Sequence, residues 1–200
     1  MSNVAAIILA AGKASRFRAA AGDSGPATKL VAQIEGRPLI AHAAAAALAS
    51  KARPILVVTG HADTEVRESL SGMPLTFAHN PDFAQGMSTS LQTGIAALPE
   101  TVSGALVLLG DMPRVSAGLL DLLIATFNAH PQAGAVVPVI EGRRGNPVLI
   151  ARDLFPAVAS ISGDVGARPV LQAAGKRVVE IVVQDAGAAF DVDSPDALAN

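Results

Sequence analysis

Seven apolar runs rich in β-branched residues punctuate the chain: IILA (7–10), ILVVTG (55–60), LTFAH (75–79), ALVLLG (105–110), AVVPVI (135–140), NPVLI (146–150) and VVEIVV (178–183). Short runs of this kind, apolar at successive positions, predict strands. Between most of them the apolar spacing is helical. The segment 38–50 contains AHAAAAALA, a strong helix former whose small side chains permit close packing on a sheet. Segments 62–70, 86–98, 116–129 and 164–174 also read as helices. Strand and helix alternate through residue 130, which predicts a mainly parallel sheet covered on both faces. Beyond residue 135 the links shorten to stretches such as EGRRG, so an antiparallel element is expected there. With no internal repeat and no long linker, residues 1–200 read as one α/β domain. The segment AAAGDSGPAT (19–28) departs from this compactness. Its composition predicts a surface loop between Arg16 and Lys29, readable equally as a lid or as a tolerated insertion.

Composition narrows the function classes. Two hundred residues, half of them hydrophobic, can bury a sizeable core. A net charge of −2 and 3% aromatic content, with no Trp or Tyr, argue against a nucleic-acid partner. The lack of cysteine excludes disulfides, thiolate metal sites and cysteine nucleophiles. The first apolar run is short and has no basic segment before it, so it reads as a strand rather than a signal peptide. No stretch approaches the roughly 20 apolar residues of a membrane span. These features predict a cytoplasmic chain without a membrane partner.

Candidate chemistry gathers at strand ends. In an open parallel sheet, ligands bind beyond the carboxyl ends of the strands. The first strand ends there in the small-residue loop Leu9, Ala10, Ala11 and Gly12, whose backbone N–H groups can cradle phosphates. Lys13, Arg16 and Lys29 supply matching cations. The loop fits neither the P-loop nor the dinucleotide fingerprint, and a Gly after a strand is by itself more often an ordinary turn. In LVLLGDMP, Asp111 follows a strand directly, a placement suited to Mg²⁺ but also to a turn or a helix cap. FDVDSPDAL offers Asp191 and Asp193, of which one can cap a helix and the other reach the metal. His42, His61, His79 and His130 show no ligand spacing, and there is no G-x-S-x-G elbow. A reaction that needs no protein nucleophile fits best, and phosphoryl or nucleotidyl transfer is one.

LAAGKASRF with Lys29-Leu30, then GRPLI, VVTG, NPDFAQGMSTSL, LLGDMP, RRGNPVL, GDVGAR and DVDSP, together and in that order, resemble the MobA-like nucleotidyltransferases. Within that family they are most similar to the molybdenum cofactor cytidylyltransferase branch. One departure is that the 19–28 segment separates Arg16 from Lys29, which the family holds closer together. The resemblance implies an α/β fold: a three-layer α/β/α sandwich, GT-A-like, with a mixed, mainly parallel sheet. It implies that molybdopterin phosphate attacks the α-phosphorus of CTP and releases pyrophosphate, with a molybdenum hydroxylase or its chaperone as a transient partner. Carried over by position, Leu9, Ala10, Ala11 and Gly12 would hold the nucleotide, with Gly86, Met87, Ser88 and Ser90 lining the base and ribose. Arg16, Lys29 and Asp111 would be catalytic. Asn146, Asp164 and Arg168 would orient the pterin, and Asp111 with Asp193 would bind Mg²⁺. Guanylyltransferases of the family carry Gly where this chain has Ala11, so CTP is expected over GTP. The alternatives are a guanylyl- or sugar-phosphate nucleotidyltransferase, a non-catalytic cofactor carrier, and a reductase using nicotinamide or flavin.

Overall fold

The computed structural model describes residues 3–14, 17 and 26–184. One eight-stranded sheet contains β1 (Val4–Ala10), β4 (Ile55–Thr59), β5 (Thr76–His79), β6 (Gly104–Leu109), β7 (Ala135–Ile140), β8 (Arg143–Arg144), β9 (Val148–Ala151) and β10 (Val178–Val182). Its order is β10-β7-β9-β6-β1-β4-β5, with β8 attached to β7. A separate hairpin joins β2 (Gln33–Ile34) to β3 (Arg37–Pro38). Every residue of β1 and β4 is buried, as expected where both faces of a central strand are covered.

Alternate residues of β1 serve opposite faces, following the period of two along a strand. Ala6, Ile8 and Ala10 join a core built with α1 (Leu39–Ala49) and α4 (Ala117–Ala129). Ile7 and Leu9 join a second core that includes Leu91 of α3 (Met87–Ala96) and Val170 of α6 (Arg168–Ala174). Helix α3 lies very close to the sheet at Gly94, where a Cβ would come within 2.7 Å of Ile7 Cγ2. Two further α-helices are α2 (Asp63–Ser69) and the four-residue α5 (Phe155–Val158).

The predicted antiparallel element is β9, which runs against both β6 and β7. The EGRRG link becomes the β7–β8 turn through Glu141 and Gly142, both at positive φ. One expectation needs correction, and one helix was not anticipated. The helix predicted over 164–174 begins only at Arg168, because Gly163 and Gly166 take positive φ and the intervening turn is hydrogen-bonded to α3. Helix α5 carries no recognisable signal, since four residues span little more than one helical turn. Among the described residues, no helix is long and apolar enough to cross a membrane.

Candidate active site

A cleft of about 740 Å³ opens where β1 and β6 end. A hydrogen bond from Gly110 N to Leu9 O (3.0 Å) holds these two exits side by side, and His61 N donates to Ala11 O (3.2 Å). Lys29 enters on a short 3-10 turn (Lys29–Val31), whose Leu30 N–H is capped by the fully buried Thr28 hydroxyl at 3.4 Å. The turn brings Lys29 Nζ to 2.7 Å from Asp111 Oδ2, with the two side chains only 12% and 20% exposed.

The other carboxylate oxygen, Asp111 Oδ1, is buried and has no hydrogen-bond partner among the described residues. A buried acceptor in that state is costly unless something satisfies it. A hard cation would do so, and Mg²⁺ commonly takes one or two carboxylates while phosphates and water fill its other positions. Asp111 therefore fits as one ligand. Among the described residues, no group of three or more His, Cys, Asp or Glu side chains could hold a metal by itself.

The facing wall is the start of α3. Its N-cap is Gly86 at φ +113, which has no side chain to satisfy the first helical N–H groups. A distant segment supplies the acceptors: Asp164 Oδ1 takes the Met87 N–H (3.2 Å) and Gly163 O takes the Ser88 N–H (3.1 Å). The approach is close enough that a Cβ on Gly86 would lie 2.5 Å from Gly163 C. Behind this wall, Asn80 is 1% exposed and donates from Nδ2 to Thr89 Oγ1 (2.9 Å) and Ser90 Oγ (3.0 Å).

The cleft brings together Leu9, Ala11, Gly12, Lys29, Gly86, Met87, Ser90, Asp111 and Asp164, with Lys13 among them. Ala10 faces the core instead. Ser88 is buried, and its Oγ has no partner among the described residues. Asn146 precedes β9 and Arg168 is exposed at the start of α6; neither lines the cleft. Arg16, Asp191 and Asp193 lie outside the described residues, as do positions 19–25 of the segment between Arg16 and Lys29. Sequence reasoning missed Phe17, Phe83 and Asn80. The last two sit inside the NPDFAQGMSTSL motif, where the scarcity of aromatic residues could have drawn attention to Phe83.

Beyond β4, Asp63 anchors a second polar cluster. It accepts from the Thr59 hydroxyl and from Arg67 Nε (2.8 Å), and His79 Nδ1 lies 3.6 Å away. Burial works to raise its pKa, but the Thr59 and Arg67 hydrogen bonds and the Arg67 and His79 charges outweigh that. The carboxyl is held below its ordinary 3.8.

Comparison with known proteins identifies the frame of this cleft. The MobA-like NTP transferase domain matches residues 6–179. Nicotine blue oxidoreductase of Paenarthrobacter nicotinovorans is 30% identical over 98% of this chain and 94% of its own length. The molybdenum cofactor cytidylyltransferase of Escherichia coli K12 is 27% identical, over 71% of this chain and 70% of that protein. The bifunctional protein GlmU of Kineococcus radiotolerans is 34% identical over 75% of this chain, which spans only 29% of the GlmU length. Among solved structures, Rv0371c of Mycobacterium tuberculosis H37Rv superposes with a TM-score of 0.83 at 21% identity, covering 99% of this chain and 96% of that one.

Proposed function

The chain belongs to the MobA-like NTP transferase family, and from that membership we propose that it transfers a cytidylyl group from CTP to the phosphate of molybdopterin. The supporting observation is the Lys29–Asp111 pair at the carboxyl end of the sheet, with one carboxylate oxygen still unpartnered among the described residues. A triphosphate and its counter-cation need an ammonium and a carboxylate of this kind side by side.

In this reading, an oxygen of the acceptor phosphate forms a bond to the α-phosphorus of CTP. The bond from that phosphorus to the β-phosphate bridge breaks, and its electron pair leaves on pyrophosphate. The nucleophile is already anionic, so no side chain need remove a proton. Asp111, with Asp193 as a second carboxylate, would hold Mg²⁺, which supplies charge neutralisation when bound. Lys29 exchanges its contact with Asp111 for phosphate oxygens, and Arg16 adds a second cation. The Gly12 and Lys13 backbone faces the phosphates. Gly86, Met87 and Ser90 form the base and ribose wall, with the buried Ser88 behind it, and Asp164 steadies the wall by capping α3. A role for Asn146 and Arg168 requires the acceptor to extend past the cleft lining towards them.

The test is a thermal-shift panel of CTP, GTP, ATP, UTP and NADPH, each with and without Mg²⁺, followed by pyrophosphate release with molybdopterin. CTP with Mg²⁺ should stabilise most and turn over fastest. Equal turnover with GTP would remove the cytidylyl assignment. A second reading, an oxidoreductase, draws on the likeness to nicotine blue oxidoreductase over nearly the full length of both chains. Stabilisation by NADPH with none by any triphosphate would favour it.

A further inference from the structure

The chain has six Phe and no Trp or Tyr, yet two of the six, Phe17 and Phe83, line the cleft. Phe17 is 2% exposed and fills the wall, whereas Phe83 is half-buried. Several independent contacts fix its place. Its Cβ sits so close to the β4 exit that a Cβ on Gly60 would come within 2.7 Å of it, and within 2.8 Å of Ala11 Cβ. The turn that carries it is held by Asp82 N to Asn80 Oδ1 (3.0 Å), Gln85 N to Asp82 O (2.9 Å) and Gln85 Nε2 to Asp82 Oδ1 (2.7 Å). Asn80 ties that turn to β4 through its own N–H to Thr59 O (2.8 Å), and to α3 through Thr89 and Ser90.

One of the ring's two charged or aromatic neighbours is replaceable. Lys13 Nζ stands over it at 5.8 Å from the centroid, and the His61 ring flanks it at 6.0 Å with a 49° tilt. Lys13 is exposed, and a cation–π contact of a hydrated lysine is weak. A planar ring can take its place at little cost and free the ammonium for phosphate. An aromatic face held by its own backbone loses little freedom on binding, which favours stacking.

We propose that Phe83 is the stacking platform for a planar heteroaromatic ring of the ligand, with Lys13 moving from the ring to the ligand's phosphates. This rests on the cleft being a nucleotide or pterin site. The shared chemistry has two sources, the base of the triphosphate and the pterin of the acceptor.

The test uses the full chain, with Phe83→Leu and Phe83→Trp. The probes are CTP, GTP, 6-carboxypterin, NADPH and inorganic tripolyphosphate, with Mg²⁺ throughout. Phe83→Leu should weaken binding of the stacked ligand about fivefold or more, while tripolyphosphate binding stays unchanged. Phe83→Trp should keep that affinity, and the protein's single Trp should be quenched by the stacked ligand but not by tripolyphosphate. Loss confined to nucleotides assigns the base; loss confined to the pterin assigns the acceptor. Quenching by NADPH or GTP but not CTP keeps the platform and removes the cytidylyl reading. Quenching by none of the heterocycles, or an equal loss for tripolyphosphate, overturns the platform.

Discussion

Lys29→Ala removes the ammonium that faces Asp111 Oδ2 at 2.7 Å and leaves a carboxylate whose other oxygen already lacks a partner among the described residues. At that distance and an effective dielectric near 20, the gross attraction is about 6 kcal/mol. Desolvation of both groups cancels most of it, because the side chains are only 12% and 20% exposed. Breaking a fully buried pair costs about 3–5 kcal/mol. Residual exposure and water entering the vacated space reduce this to about 2 kcal/mol, or about 4–8 °C in Tm for a chain of this size. The expected catalytic loss is larger. An electrostatic group aimed at charge that develops in the transition state is worth about 3 kcal/mol, a fall of about a hundredfold in kcat. Urea denaturation and pyrophosphate release, run on Lys29→Ala and on Lys29→Ala/Asp111→Ala, separate the two effects. The double variant should regain stability over the single one, since the Asp111 charge is no longer left stranded, while remaining inactive. If Lys29→Ala turns over within a few-fold of the parent, Lys29 has no part in transfer. If the double variant is no more stable than the single, the pair is not the coupled element described here.

Asp111→Asn keeps the side-chain shape but removes the charge a hard cation prefers, so Mg²⁺-dependent stabilisation by CTP should vanish in a thermal-shift titration; an unchanged titration would move the metal elsewhere. Gly86→Ala should lower stability by about 1–3 kcal/mol from its left-handed φ alone, and further from the 2.5 Å approach to Gly163, as read by denaturant midpoint. Asp63 has a lowered folded pKa, so its stabilising effect is present above its ordinary 3.8 and fades as pH falls through the folded value. The stability gap between parent and Asp63→Asn should therefore be present just above 3.8 and close as pH falls below it, and a gap that persists at lower pH would contradict the sign. Ala11→Gly should reduce the preference for CTP over GTP in pyrophosphate release, because it opens the cleft beside Gly60; an unaltered ratio would mean that Ala11 only packs against its neighbours.

The central strands were legible in the sequence because burial on both faces leaves an uninterrupted apolar run, as in VAAIILA and ILVVT. The antiparallel strand was legible from chain length: EGRRG cannot make the long crossover a parallel return needs. The positions of Asp111, Ala11 and Gly12 were legible because they closely follow buried strands, with Leu9 and Ala10 still inside β1, and the carboxyl ends of parallel strands converge on one side of the sheet. What joins residues distant in the chain was not legible. Nothing near Lys29 announces that its ammonium rests on Asp111, and nothing near Gly86 announces that its helix is capped by Asp164, 77 residues on from Met87. The same contact explains the shortened last helix. Residues 164–167 fall within a segment of helical spacing, but packing Gly163 and Asp164 on the start of α3 requires a turn with positive φ instead. Phe83 reads as one apolar residue in a polar motif until the β4 exit, bare at Gly60, leaves room for its side chain and that of Ala11 on either side of the missing Cβ. Periodicity along a chain encodes which faces will be buried; which polar groups then meet depends on the crossovers, and so only the tertiary structure decides it.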